Sequence, residues 1–364
     1  ESMMQEHWDR IKILEIGSNL IPYVSPEEFH RIMESNILST TQVDEQIFSR
    51  RFNFTGQYGA DLMKEVSRYA LIAAVLAKNL TFDVIHAHDW LTYAAGIAAK
   101  AVSGKPLVVH VHATEFDRSG RNVNQSVYDI ERKGMAMADR VITVSNLTKT
   151  IVHEKYGVPL EKIVTVYNAV DPNLGDDGYD VQRGVKEKVV TFLGRITFQK
   201  GPDYFIEAAF KVLQRDRNIR FVMAGSGDML NRMIRRVAAL GISDRFHFTG
   251  FLRGADVPRM FAHSDLYVMP SVSEPFGISP LEAMRSNVPV IISKQSGVSE
   301  ILEHAIKVDF WDIDAMADAI YGLVKYNGIS QLFRRFGKVE VDNLKWDNAA
   351  AKVIEVYKQV FEQK

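Results

Sequence analysis

Short apolar runs alternate with helical segments along most of this 364-residue chain. From Phe82 onward, runs that are apolar on both faces, such as VIHAH at 84–88 and LVVHVH at 107–112, are separated by stretches with helical spacing. Strands of this kind, joined by helices, indicate parallel βαβ units. Because the alternation restarts after a glycine- and charge-rich stretch at 174–184, the pattern predicts two doubly wound, Rossmann-like α/β domains that face a cleft.

The predicted division places the first domain at residues 1–176 and the second at 185–345, with a C-terminal helix at 346–364 that packs back on the first domain. In a complete doubly wound domain, a glycine-rich turn follows the first strand. IKILEI at 11–16 could be a strand, but GSNLIPYVSPEEF follows it. The first domain is therefore expected to be incomplete, without its first strand and glycine-rich loop.

Composition limits the possible partners. Lys plus Arg is 44 and Asp plus Glu is 45, for a formal net charge of −1, so we expect neither nucleic acid nor an anionic membrane as partner. The longest apolar run, ALIAAVLA at 70–77, is far shorter than a membrane span of roughly 20 residues. The chain has no cysteine, which suits the cytoplasm. Nothing in the sequence indicates an oligomeric state.

Two glutamates flank a predicted helix start in SEPFGISPLEAM, residues 273–284. Pro280 suits an early helical position and Ser279 an N-cap. A helix N-terminus beside Gly277 would offer backbone N–H groups to a phosphate. Glu282, in the first turn, could accept hydrogen bonds from the vicinal hydroxyls of a ribose, with Glu274 at the other end of the ligand. The alternative is that both acids only favour the positive helix end.

Two further strand–loop–helix junctions carry groups that suit a nucleotide. In FLGRITFQKG at 192–201, Arg195 and Lys200 would suit a diphosphate, because a guanidinium binds as a fork and an ammonium as a point charge. In AGSGD at 224–228, Gly225 and Gly227 could let backbone groups approach a base. Each motif alone is weak. Three junctions in one domain that supply cations, amides and carboxylates together predict a nucleotide site.

Four histidines lie at two predicted strand ends, in HAHDW at 86–90 and HVHATEFD at 110–117. Alternate residues of a strand share a face, so His86 pairs in direction with His88, and His110 with His112. With Asp89 they could form a metal site, or they could be ordinary hydrogen-bonded histidines. We favour polar groups on a cleft wall that bind hydroxyls, without a metal.

These motifs resemble a known family. Glu-Pro-Phe-Gly-x-x-x-x-Glu at 274–282, Gly-Arg-x-x-x-x-Lys-Gly at 194–201 and His-Asp-Trp at 88–90 are similar to those of retaining glycosyltransferases of the GT-B fold, family four, above all its glycogen- and starch-synthase-like members. The likeness covers roughly residue 82 to the C-terminus.

The resemblance implies a retaining, metal-independent hexosyltransferase that needs no cofactor. It implies a nucleotide-sugar donor such as ADP-glucose or UDP-glucose, and a saccharide acceptor, possibly an α-glucan. It also implies the site residues: Arg195 and Lys200 on the diphosphate, with Gly194 in the same motif, Glu282 on the ribose, Glu274 on the transferred sugar with the amides of Gly277, Ile278 and Ser279, His112 at the reaction centre, and Asp89 and Trp90 on the cleft wall.

Other functions remain open at this point. A glycosidase could use the two glutamates as acid and nucleophile, but that leaves Arg195 and Lys200 without a role. A sugar-nucleotide epimerase could share the scaffold. The missing glycine-rich loop leaves room for a catalytically impaired nucleotide-sugar-binding remnant. A nicotinamide oxidoreductase fits poorly, since no full G-x-G-x-x-G motif opens a strand–helix pair.

Overall fold

The computed structural model describes residues 62–120, 122–170, 184 and 186–362. The expected strand at 11–16 and the segment that follows it lie outside these residues, as does the predicted linker at 174–184 except for Gly184. No described helix is long and apolar enough to cross a membrane.

The first sheet has four parallel strands in the order β1-β2-β3-β4. A helix or helix pair follows each of β1, β2 and β3, as expected for parallel connections. The elements are α1 (Leu62–Asn79), β1 (Ile85–His88), α2 (Trp90–Ser103), β2 (Leu107–Val111), α3 (Glu115–Ser119), α4 (Gln125–Met137), β3 (Arg140–Thr143), α5 (Asn146–Tyr156) and β4 (Ile163–Thr165).

The second sheet has six parallel strands in the order β10-β9-β8-β5-β6-β7. The order reverses between β5 and β8, so the switch point of a doubly wound sheet lies there, where α/β ligands bind. The elements are β5 (Lys188–Leu193), α6 (Pro202–Arg215), β6 (Ile219–Ala224), α7 (Leu230–Ala239), β7 (Phe246–Gly250), α8 (Asp256–His263), β8 (Leu266–Met269), α9 (Ser279–Arg285), β9 (Val290–Ser293), β10 (Ile306–Val308), α10 (Ile313–Lys325), α11 (Asn327–Asp342) and α12 (Trp346–Glu362).

The central strands of both sheets are buried on both faces. Every residue of β2 is buried, and so is every residue of β8 and β9. Continuous apolar runs form such strands because helices cover both sides of the sheet. The predicted α/β class with two parallel sheets is confirmed.

The C-terminal helix α12 lies against the first sheet. Its Val356 and Val360 belong to one buried cluster with Val108 of β2 and Ile142 of β3. The hydroxyl of Tyr357 lies 2.6 Å from Nδ1 of His86 on β1. The last helix therefore contributes a polar contact beneath the histidines of the first sheet, while the exact domain boundaries stay predictions.

Two contacts connect the parts of the chain that carry the two sheets. The carboxylate of Glu300 accepts hydrogen bonds from the backbone N–H groups of Asn146 (2.9 Å) and Leu147 (2.7 Å) at the start of α5. On another loop, the Ser273 hydroxyl donates to Asp117 Oδ1 at 2.6 Å. The second contact lies one residue from Glu274, so it bears directly on the geometry of the site.

Candidate active site

The groups predicted from the sequence follow the carboxyl ends of strands in both sheets. In the second sheet, β5 leads to Arg195, β6 leads to Gly225 and β8 leads to the turn that carries Glu274. In the first sheet, β1 leads to Asp89 and β2 leads to His112. Carboxyl edges at a switch point are where open α/β sheets bind ligands. The topology therefore places the predicted residues where a ligand is expected.

Lys200 and Glu274 form an ion pair at the switch point. The Lys200 ammonium donates a hydrogen bond to Oε2 of Glu274, which also accepts one from the Ser271 hydroxyl at 3.3 Å. The side chains are 21% and 9% exposed, respectively. The backbone N–H of Val272 donates to the carbonyl of Gln199 at 2.9 Å, which ties the β5 and β8 loops together. Residues 74 positions apart thus meet as predicted.

Arg195 lies on the same loop as Lys200. Its Nη2 donates to Oε1 of Gln199 at 3.3 Å, and a Cβ built on Gly194 would lie 3.8 Å from the Lys200 side chain. The neighbouring glycines permit close backbone packing. A Cβ on Gly225, whose φ is 141°, would lie 1.9 Å from the Gly194 carbonyl oxygen, and one on Gly227 would lie 2.3 Å from the Ile196 carbonyl oxygen. Any larger residue at these two positions would push the β5 and β6 loops apart.

Glu282 lies in the first turn of α9, as predicted, and is half-buried. Burial raises the pKa of its carboxyl group. Among the residues that the structure describes, none donates a hydrogen bond to this carboxylate. A desolvated acid with a raised pKa in a cleft is typical of a binding or catalytic site.

The prediction that Ser279 caps α9 is wrong. The residue before the helix is Ile278, whose backbone is already helical at φ −79° and ψ −34°, and no side chain caps the helix. The Ser279 hydroxyl instead accepts a hydrogen bond from Tyr267 at 2.9 Å. Gly277 has a φ of 100°, which favours glycine in the turn between Glu274 and the helix.

Asp89 and His112 are fixed to one another across the ends of β1 and β2. Oδ1 of Asp89 accepts hydrogen bonds from the backbone N–H groups of His112 (2.8 Å) and Ala113 (3.4 Å). Asp89 has a φ of 59°, which is uncommon for a residue other than glycine and often marks a functional turn. Its carboxylate therefore orders the loop that carries His112, in addition to any contact with a ligand.

The four histidines form one stacked cluster. His86 stacks on His88, and His110 on His112, each at 4.4 Å between ring centroids. Nδ1 of His88 lies 2.9 Å from Nε2 of His112. Burial, aided by the neighbouring histidines, lowers the pKa of His86 to about 4 and that of His110 to about 2. Both rings are neutral near pH 7.

Three of these rings could be considered as metal ligands. Nitrogens of His86, His88 and His110 lie within 4.8 Å of one another. The ring planes differ by only 9° to 28°, however, whereas the ligands of one ion direct their in-plane lone pairs at a common point. The stacked arrangement does not converge in this way, and the absence of a metal stays a prediction.

Asp117 and Ser273 are site residues that the sequence did not reveal. Asp117 caps α3 through Thr114 and also accepts from Ser273. The T-x-x-D pattern of residues 114–117 is a signal for a capped helix, but it gives no sign of the contact with a residue 156 positions away.

Comparison with known proteins agrees with this architecture. Residues 47–174 match the family described as Glycosyltransferase Family 4, and residues 180–338 match Glycosyl transferases group 1. An uncharacterized glycosyltransferase of Methanocaldococcus jannaschii is 32% identical over 299 residues, which cover 77% of this chain and 76% of that protein. D-inositol 3-phosphate glycosyltransferase of Salinispora tropica is 29% identical over 309 residues, 76% of this chain and 64% of the relative.

Solved structures share the fold. Sucrose-phosphate synthase of Thermosynechococcus elongatus superposes with a TM-score of 0.73 at 18% identity, over 86% of this chain and 83% of the other. HepE of Anabaena, in complex with UDP and glucose, gives a TM-score of 0.68 at 21% identity, over 83% of each chain. The two parallel sheets and the groups at their carboxyl edges define a GT-B protein. The chain belongs to the family 4 glycosyltransferases.

Proposed function

We propose that this protein transfers a hexose, namely glucose, from a nucleotide diphosphate sugar to a saccharide hydroxyl with retention of configuration. The observation that carries the proposal is Glu282, a half-buried carboxylate with a raised pKa and no hydrogen-bond donor among the described residues. Two vicinal hydroxyl groups of a ribose would supply the missing donors. Such charge-assisted hydrogen bonds are stronger than neutral ones.

The cations beside Glu282 would hold the leaving group. Breaking the anomeric C–O bond develops negative charge on the diphosphate and positive charge on the sugar. Arg195 and Lys200, on one loop at the switch point, would stabilise the diphosphate without a metal. Removal of one such group typically lowers the rate by about 10²–10³.

Glu274 and His112 would act at the sugar end of the donor. Glu274 holds Lys200 in the absence of donor, and the Asp117–Ser273 contact draws the first-domain loop toward it. The departing phosphate would take the proton of the acceptor hydroxyl. UDP-glucose is one candidate donor, because HepE of Anabaena binds UDP and glucose; ADP-glucose is the other. A glycogen- or starch-synthase-like activity on an α-glucan, in the cytoplasm, completes the proposal.

The test is calorimetric titration with ADP-glucose and with UDP-glucose in the presence of EDTA, followed by transfer to maltooligosaccharide. We expect one donor to bind without metal and its glucose to appear in an α-linkage by NMR. Binding without transfer would identify a nucleotide-sugar-binding remnant, and a β-linked product would exclude retention. No binding of either donor would overturn the proposed use of these nucleotide sugars.

The Glu282→Gln variant tests the role of the carboxylate. It should weaken binding of the nucleoside part, because the amide loses one acceptor and the negative charge. Glu154→Gln, which changes an exposed residue of α5, is the matched control. Equal nucleoside affinity in wild type and Glu282→Gln would rule out the ribose role.

A further inference from the structure

We propose that His88 is a positioning residue: its ring holds His112 in one tautomer and one orientation for the reaction. The inference rests on the proposed function for the role of His112, but the contact itself is independent of it. Nδ1 of His88 lies 2.9 Å from Nε2 of His112, on the neighbouring strand end. Two neutral imidazoles share one proton across such a bond, so each ring is fixed in one tautomer.

His88 is itself held from several sides. Its ring stacks on His86 at 4.4 Å between centroids, and it lies 5.1 Å from the ring of His110. Behind this layer, the Tyr357 hydroxyl of α12 lies 2.6 Å from Nδ1 of His86. The hydrogen bond to His112 therefore comes from a ring with little freedom to turn, which is the arrangement that a precise active site requires.

The backbone of His112 is fixed separately. Asp89 accepts its N–H at 2.8 Å, so the main chain and the ring are held by two different side chains. Replacement of His88 should release the ring and leave the loop in place. Since burial and the neighbouring His112 lower the pKa of His88, the bond joins neutral rings near pH 7, and no positive charge competes for the donor phosphates.

Three variants separate positioning from packing. In asparagine, the terminal amide atoms occupy the place of Nδ1, whereas in glutamine they lie nearer the place of Nε2. His88→Asn can therefore keep the bond to His112, and His88→Gln and His88→Ala cannot. We expect kcat to fall on the order of 10²-fold in the last two variants with an unchanged KM for the donor, and to recover largely in His88→Asn.

The measurements are kcat and KM for donor, the thermal unfolding temperature, and ¹⁵N chemical shifts of the histidine rings. A single His112 tautomer in wild type and in His88→Asn, replaced by a mixture in His88→Ala, supports the proposal. The exposed His247→Ala variant is the control and should change none of them. Equal losses of kcat in all three His88 variants, in proportion to lost stability, would mean that His88 only packs.

The ring spectra also separate this inference from the proposed function. If wild type transfers no sugar from either donor, the proposed function fails, but the His112 tautomer can still be read in each variant. An unchanged His112 spectrum in His88→Ala would overturn the positioning role whatever the activity.

Discussion

Replacement of Lys200 by methionine should destabilise the second domain, because it leaves Glu274 as a buried carboxylate without its cation. The Glu274 side chain is 9% exposed and that of Lys200 21% exposed. After the change, the Ser271 hydroxyl at 3.3 Å is the one side-chain donor to Glu274 that the described residues retain. A single weak hydrogen bond does not compensate a desolvated negative charge.

The expected magnitude follows from the burial. Removal of one partner of a buried ion pair costs about 3–5 kcal/mol. Because Lys200 keeps about a fifth of its side chain exposed, we expect the lower end, about 3 kcal/mol. For a domain of this size, each kcal/mol shifts the unfolding temperature by about 2–4 °C, so the decrease should be about 6–12 °C.

Scanning calorimetry at pH 7 without ligand tests this value in wild type, Lys200→Met, Glu274→Gln and the double variant. The double variant removes both charges and should recover most of the stability, although it should transfer no sugar. Lys211→Met is the matched control, because the Lys211–Asp314 pair is exposed at 39% and 74% and should contribute at most about 1 kcal/mol. Additive losses in the double variant would refute the coupling and with it the ion pair as a stabilising contact.

Three further variants test other parts of the site. Because burial raises the folded-state pKa of Glu282, the stability from its protonated form is full below the unfolded pKa and is lost as pH rises through the raised pKa. Glu282→Gln should therefore unfold at a higher temperature than wild type at pH 7, and the difference should vanish near pH 4; a lower unfolding temperature at pH 7 would contradict this. Glu300→Gln should lose about 1–2 kcal/mol in thermal unfolding, since two backbone N–H groups at the start of α5 share that carboxylate, and a loss no larger than that of exposed Glu154→Gln would be evidence against the contact. Gly225→Ala should abolish binding of UDP or ADP, because its Cβ would lie 1.9 Å from the Gly194 carbonyl oxygen; wild-type affinity by calorimetry would show that the loop adapts.

Much of the fold could be predicted because local sequence determines it. LVVHV and VIIS are apolar on both faces, and the structure buries both as central parallel strands. Pro202 begins α6, as its fixed φ favours. The Arg195–Lys200 loop and the Glu274–Glu282 turn could be placed at one sheet edge from strand order alone, since parallel strands carry their carboxyl ends to the same side.

Contacts between distant residues could not be predicted in this way. Ser279 has the residue type and position of an N-cap, but Tyr267 on β8 binds its hydroxyl, and the helical backbone of Ile278 moves the helix start. The Glu300 contact joins residues 154 positions apart. Hydrogen bonds of this kind depend on how the two sheets approach one another, which no local pattern encodes.

The approach of the sheets has a consequence for catalysis. The Ser273–Asp117 bond at 2.6 Å connects the residue before Glu274 with the helix that follows the His112 loop. Glu274 and His112 are the groups proposed for the sugar end of the donor, and they come from different sheets. Their relative position therefore depends on this contact, because neither sheet fixes it alone. Ser273→Ala should accordingly lower kcat more than it lowers the affinity for UDP or ADP, whose proposed contacts all lie in the second domain. An equal loss in both quantities would mean that the bond supports the nucleotide site instead.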